Sequence, residues 1–260
     1  MSPDGSSLRP ALSVVVPVYN EATVIAGTLR AVASHLSAAG VAHELVIADD
    51  GSSDATLAIA SELARELAQL RVLPGAHRGK GGAVRRGMLA ATGRWVLFMD
   101  ADHATPIAEW DRFAPLLADG APVVIGSRKM AGARILQRQP PWREAAGRTF
   151  TWLANRILSS RVSDFTCGFK AFQHDAAQAI FARQRVDGWG FDAEILFIAQ
   201  YLGYRIHEVP VVWRDDADTK VRIARDAVRS FGELLAIRWA AARGTYRQAA
   251  GAGRGLGEAA

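Results

Sequence analysis

Cysteine is all but absent from this chain. Cys167 stands alone, which excludes an internal disulfide and fits a reducing compartment, with a small buried hydrophobe as its ordinary role. No apolar run approaches the roughly 18 residues that a membrane-spanning helix needs. The opening MSPDGSSLRP lacks an apolar signal core, so the expectation is a protein that stays in the cytosol. Zinc-finger spacing and aromatic RNA-recognition motifs are missing, which argues against a nucleic-acid partner. No G-x-G-x-x-G follows the first apolar run, and no Ser or Thr follows Lys80 in "HRGKGGAVRRG". A dinucleotide fingerprint and a Walker loop are thereby both excluded. Acid is scarce in one long stretch, where Arg128, Lys129, Arg134, Arg138, Arg143, Arg148, Arg156 and Arg161 face only Glu144.

What is present is enough for one large α/β domain or two small ones: 260 residues, 50% hydrophobic, with a net charge of +5. The basic block reads either as a surface for phosphates or lipid headgroups, or as a solvated arginine-rich face. Short β-branched runs alternate with helical stretches through the first half. Ser13–Val16, Leu45–Ala48, Val72–Leu73, Trp95–Met99 and Val123–Ile125 read as strands. Thr23–Leu36, Ala55–Leu70 and Ala83–Ala91 read as helices, with Ser52, Ser53 and Asp54 as capping candidates for the second. This rhythm predicts a mostly parallel mixed sheet sandwiched by helices. After Ser127 come a basic Gly/Pro-containing stretch and a helix around Arg143–Leu158. A strand at "CGFKAF", a helix at "FDAEILFIAQYLG" and one closing strand at "YRIHEVPVVWR" follow. Val221–Trp239 forms an amphipathic helix with Val221, Ala224, Val228, Phe231, Leu235 and Trp239 on one face and Arg222, Arg225 and Arg229 on a neighbouring one. Residues 1–11 and the low-complexity tail 240–260 read as disordered, with the folded domain between them at 12–239.

Ligands of open parallel sheets bind at the carboxyl ends of the strands. Three polar clusters fall there: "PVYNE" (17–21), "DDGSSD" (49–54) and "DAD" (100–102). Gathering acids along one edge is costly unless cations or hydrogen-bond donors relieve them. The sharpest case is "VLFMDADHATP". Its apolar run favours burial and then ends in Asp100 and Asp102, whose side chains share a face of an extended segment. Two explanations stand: a hard divalent cation held against phosphate oxygens, or a polar strand end followed by a Thr105–Pro106 helix cap.

"VVVPVYNE", "ADDGSSD", "GKGGAVRRGM", "DAD", "GSR", "DFTCGFKAF" and "WGFDAEILFIA" occur in the order seen in family-2 glycosyltransferases. From about Leu12 to Trp239 the chain resembles these enzymes, and most of all the dolichyl- or polyprenyl-phosphate β-glucosyltransferases. "CGFK" with "WGFDAE" is the specific part of the likeness. The resemblance implies a GT-A fold. It implies that Pro17, Tyr19 and Glu21 form the loop around the base and ribose, with Asp50 bonding the base, and that Lys80 and Gly81 lie near the donor phosphates or ribose. Asp100 and Asp102 match the metal-binding pair, for Mg²⁺ or Mn²⁺. Arg128 matches a residue facing the donor or acceptor phosphate, and Asp164 an acid on the acceptor side. Asp192 and Glu194 would flank the sugar, although Glu194 also reads as an ordinary helix residue. Where mannosyl relatives place a Gln metal contact, this chain has Ala104, with His103 as a possible substitute. Where the family reads "GSK", it has Asp218-Thr219-Lys220, which keeps the cation at Lys220 without the glycine.

The implied reaction is metal-dependent, inverting transfer of glucose from UDP-glucose to an isoprenoid-lipid phosphate, performed peripherally on the inner face of a membrane. Val221–Trp239 would lie on that membrane or pack on the domain. Mannose from GDP-mannose is the neighbouring alternative. Transfer to a sugar or protein hydroxyl would need Asp164 or Asp192 as base. A nucleotide-sugar-binding protein without turnover is the alternative outside catalysis.

Overall fold

A computed structural model describes residues 9–215 and 223–247, the side chains of 223–228 excepted. Seven strands form one sheet: β1 (Leu12–Val18), β2 (His43–Asp49), β3 (Leu70–Leu73), β4 (Trp95–Met99), β5 (Val123–Ser127), β7 (Phe169–Gln173) and β8 (Ile206–Pro210). Their spatial order is β3-β2-β1-β4-β7-β5-β8, and only β7 runs against its neighbours. The nearly unbroken apolar runs follow from burial on both faces. In β1, Val14 and Val16 join one core cluster and Val15 the other; in β4, Leu97 and Met99 face one side while Val96 and Phe98 face the opposite one. Helices α1 (Ile25–Ala38), α2 (Thr56–Glu66) and α4 (Trp110–Ala118) cover the first face. Helices α3 (Lys80–Ala90), α5 (Pro141–Leu158), α6 (His174–Phe181), α7 (Phe191–Tyr201) and α8 (Ile223–Ala242) cover the second. The expected mostly parallel mixed sheet between helices is what forms.

Several boundaries differ from expectation. The α2 helix stops at Glu66 because Leu67 turns extended (ψ 95°), and Leu70 joins β3, where Leu45 N–H bonds the Gln69 carbonyl. Glycine content makes 79–82 look like a turn, yet only Gly79, at φ 121°, lies outside the helix; Lys80 opens α3. The closing strand is two strands. After Val211 N–H bonds the Ser127 carbonyl, its own carbonyl accepts from Arg134 N–H, and the chain leaves the main sheet. There β9 (Val212–Arg214) pairs in parallel with β6 (Arg134–Gln137), a strand that the basic stretch conceals. Helices α4 and α6 are also unanticipated.

The folded region extends past both expected ends. Pro10 and Ala11 carbonyls accept from Arg94 and Trp95 N–H. At the other end α8 continues to Ala242, and a 3-10 turn at Thr245–Arg247 buries Tyr246. Both corrections have one cause: a few backbone bonds or one large ring anchor residues whose composition looks unstructured.

The reversal of β7 is what builds the site. An antiparallel strand begins where its parallel neighbours end, so the 164–168 loop arrives at the carboxyl edge of β4 and β5. Met99 pairs with Phe169 in the register, which sets Gly168 beside Asp100.

Candidate active site

Asp100 and Asp102 leave the end of β4 in a tight turn in which His103 takes φ 56°. Asp100 N–H bonds the Gly168 carbonyl, and its Oδ1 lies 2.6 Å from Lys80 Nζ. A Cβ at position 168 would fall 2.0 Å from an Asp100 carboxylate oxygen, so only glycine leaves room for this side chain. Asp102 is exposed and accepts from Ala104 N–H at 2.9 Å. The Thr105–Pro106 cap does not form: Thr105 is buried with its hydroxyl 3.9 Å from Cys167 Sγ. His103 instead caps the following 3-10 turn, Nε2 accepting from Ile107 N–H at 2.9 Å, which withdraws it as a metal ligand through that atom. Burial, with His35 nearby, lowers its pKa. Burial pushes the Cys167 thiol up to about 11, as expected of an inert core residue.

No group of three His, Cys, Asp or Glu suited to a metal occurs among the described residues. Two hard carboxylates, one of them open to solvent, do fit a divalent cation that takes its remaining oxygens from water and a diphosphate. Lys80 sits on the same carboxylate. Burial opposes its charge, but Asp100, Asp192 and Asp102 outweigh that and raise its pKa.

At the ends of β1 and β2, Tyr19 stacks on His77 with ring centroids 4.3 Å apart. Asp50 is buried and holds the loop before α3, accepting from Arg78 and Gly79 N–H at 2.9 Å each and lying 2.8 Å from His77 Nδ1. Glu21 N–H bonds Thr56 Oγ1, and Asn20 Oδ1 accepts from Ser53 N–H, so the two loops fasten each other. Pro17 is buried inside β1 and sets where Tyr19 emerges. Gly81 lies in the first turn of α3, where a Cβ would meet Phe191 and the Val186 carbonyl at 2.6 Å. Its smallness serves helix packing.

At the end of β5, Arg128 grips Asp164 through two bonds of 2.7 and 2.8 Å, donates to Thr166 Oγ1 at 2.7 Å and lies over Trp213. Asp164 is fully buried. Burial alone would raise its pKa, yet Arg128 and Lys129 hold it well below the usual carboxylate range, and the same pairing raises Arg128. Asp164 is therefore the anchor of Arg128 and has no spare proton affinity. Asp192 meets the fully buried Lys170 at 2.5 Å; burial still raises its pKa despite Lys170 and Lys80. Glu194 is fully buried. It accepts from Arg185 N–H, Val186 N–H and, at 2.7 Å, the Tyr246 hydroxyl. The expected sugar-flanking role of Glu194 is thus replaced by a structural one. Lys220 lies outside the described residues.

Sequence reasoning misses Gly168, Lys170, His77 and Trp189, whose ring centre lies 5.4 Å from Lys80 Nζ. Lys170 carried a signal: a lysine in the apolar "CGFKAF" strand demands a buried partner.

The sequence profile of glycosyl transferase family 2 matches residues 13–181. The chain belongs to this family. Glycosyltransferase AglD of Haloferax volcanii is 34% identical over 88% of the chain, although the chain spans only 37% of that protein. The dolichyl-phosphate beta-glucosyltransferases of Drosophila melanogaster and Homo sapiens are 34% and 30% identical over 84% and 91% of the chain, covering 71% and 77% of their lengths. Among solved structures, mannosyl-3-phosphoglycerate synthase of Rubrobacter xylanophilus superposes with a TM-score of 0.66 over 96% of this chain and 79% of its own, at 17% identity. Glucosyl-3-phosphoglycerate synthase of Mycobacterium tuberculosis, solved with Mn²⁺ and UDP-glucose, gives 0.64 over 88% and 79%, at 21% identity. This family 2 glycosyltransferase has the GT-A fold.

Proposed function

We propose that this enzyme transfers glucose from UDP-glucose to a dolichyl or polyprenyl phosphate, with inversion and with a divalent cation. The observation that carries the acceptor is the commitment of both candidate bases. Asp164 is locked to Arg128 and Asp192 to Lys170. A hydroxyl acceptor needs a base to take its proton. A phosphate monoester does not, since its second pKa of about 6 leaves it largely dianionic at neutral pH. Arg128 then supplies what the acceptor requires, a fixed cation beside the Thr166 hydroxyl. The dolichyl-phosphate beta-glucosyltransferases among its relatives are named for the same acceptor and sugar.

Tyr19, Glu21 and Asp50 form the nucleotide end of the site, and Lys80 meets the donor phosphates. Asp100 and Asp102 would hold the cation, which would supply positive charge to offset that of the leaving diphosphate. Attack from the Arg128 side on an α-linked donor gives a β-linked product. The lipid tail implies work at a membrane surface. No helix among the described residues is long and apolar enough to cross a membrane. We assign attachment to α8, which leaves Phe231, Leu235 and Trp239 exposed.

Turnover of UDP-glucose and GDP-mannose with a short polyprenyl phosphate, each with Mg²⁺, Mn²⁺ or EDTA, tests this. Glucosyl lipid from UDP-glucose, abolished by EDTA, is the expected result. Faster transfer from GDP-mannose would reverse the donor, and transfer only to hydroxyl acceptors would overturn the acceptor.

A further inference from the structure

Lys80 stands where a cation is wanted. Its Nζ lies 2.6 Å from Asp100 Oδ1, and the two side chains are only 23% and 29% exposed. The backbone beneath both partners is held in place. Lys80 is the first residue of α3, and the preceding Gly79 is tied by its N–H to the buried Asp50. Asp100 is backed by Gly168, where not even a Cβ would fit behind the carboxylate.

Building on the proposed metal site, we propose that Lys80 is a resident counter-ion which occupies the Asp100 carboxylate before the donor arrives, so that the divalent cation binds together with the nucleotide diphosphate and not ahead of it. The charges give the reason. Without ligands, the ammonium offsets part of the charge of Asp100 and Asp102 and keeps the carboxylate in place. A divalent ion approaching alone must share Asp100 with a cation already in contact, in a setting with too little solvent to screen the repulsion. A diphosphate arriving with the metal brings new anionic oxygens, which give the ammonium a second partner and relieve that repulsion. Trp189, with its ring centre 5.4 Å from Nζ, offers a face that keeps the ammonium favourable as it parts from the carboxylate. Metal and nucleotide then raise each other's affinity by one common factor, as linkage requires.

The test is a Mn²⁺ titration of the full chain followed by the electron paramagnetic resonance of free Mn²⁺, with and without UDP. It is run on wild type, Lys80→Met, Lys80→Gln and Lys80→Arg, with circular dichroism to confirm folding. Wild type should bind Mn²⁺ weakly alone and at least tenfold more tightly with UDP. Lys80→Met and Lys80→Gln should bind Mn²⁺ alone at least tenfold more tightly than wild type, with the enhancement by UDP reduced, while Lys80→Arg stays close to wild type. If both neutral variants bind Mn²⁺ alone no better than wild type, while wild type with UDP still binds it, the counter-ion role is overturned and the metal site stands. If no protein binds Mn²⁺ even with UDP, the metal site falls, and the counter-ion role with it.

Discussion

Asp102 is exposed at the end of β4 and accepts a turn bond from Ala104 N–H. Asp102→Asn should therefore lower glycosyl transfer by about a thousandfold, or about 4 kcal/mol of barrier, with the melting temperature nearly unchanged. Turnover and a thermal melt measured on one preparation check both halves. Asp164 is the opposite case. Asp164→Asn leaves Arg128 without its buried partner and should cost about 3–5 kcal/mol of stability. Because the folded-state pKa of Asp164 is depressed, its contribution is complete above the unfolded value of about 3.9 and fades as pH falls below it. The stability gap between wild type and variant, read by denaturant titration, should be widest near neutrality and shrink below about pH 4. At this scale Asp100 and Asp102 were legible in the sequence as carboxylates at a strand end, whereas Arg128 and Asp164 were singled out only by the resemblance to the family. That Asp164 serves Arg128 was not legible, because pairing across 36 positions leaves no mark in either local pattern.

Helical spacing correctly placed Phe231, Leu235 and Trp239 on one face of α8, yet periodicity alone could not say what that face meets. The face packed on the domain carries Ser230, Leu234 and Ile237, whereas Phe231, Leu235 and Trp239 remain 43%, 49% and 59% exposed. Arg229 is less available than its position implied, being paired with Glu233 at 3.1 Å. Val221, Arg222, Ala224, Arg225 and Val228 have no described side chains. Replacing Phe231, Leu235 and Trp239 together with Ser should weaken binding to anionic vesicles at least tenfold, about 1.4 kcal/mol, and leave the melt unchanged. Sedimentation with vesicles reads the first outcome. Unchanged sedimentation would move membrane contact away from this helix. The strand boundaries failed for a related reason: "YRIHEVPVVWR" reads as one strand, and its single local break signal, Pro210, does not say that pairing passes there from β5 to β6.

Across the whole molecule, the alternation of strands and helices announced a parallel sheet, but a period of two has no direction, so the reversal of β7 was invisible. That reversal brings "CGFK" to the same edge as "DAD". The chain's far end reaches this edge too, by an indirect route. Tyr246 sits among Phe197 and Tyr201 and donates to Glu194; Glu194 holds the N–H groups of Arg185 and Val186; and Glu233 of α8 accepts from Gly190 N–H. The segment so held carries Asp187, which bonds Arg78 and Gly82, and Trp189, which faces Lys80. Losing the Tyr246 hydroxyl leaves a buried carboxylate short of one donor, a cost of about 1–3 kcal/mol in Tyr246→Phe, measurable by denaturant titration. The wall of the proposed donor site is thus buckled from behind by the 3-10 turn at Thr245–Arg247. A protein trimmed at Trp239, where composition alone would place the scissors, would keep every motif of the family and lose the fastener that holds two of them face to face.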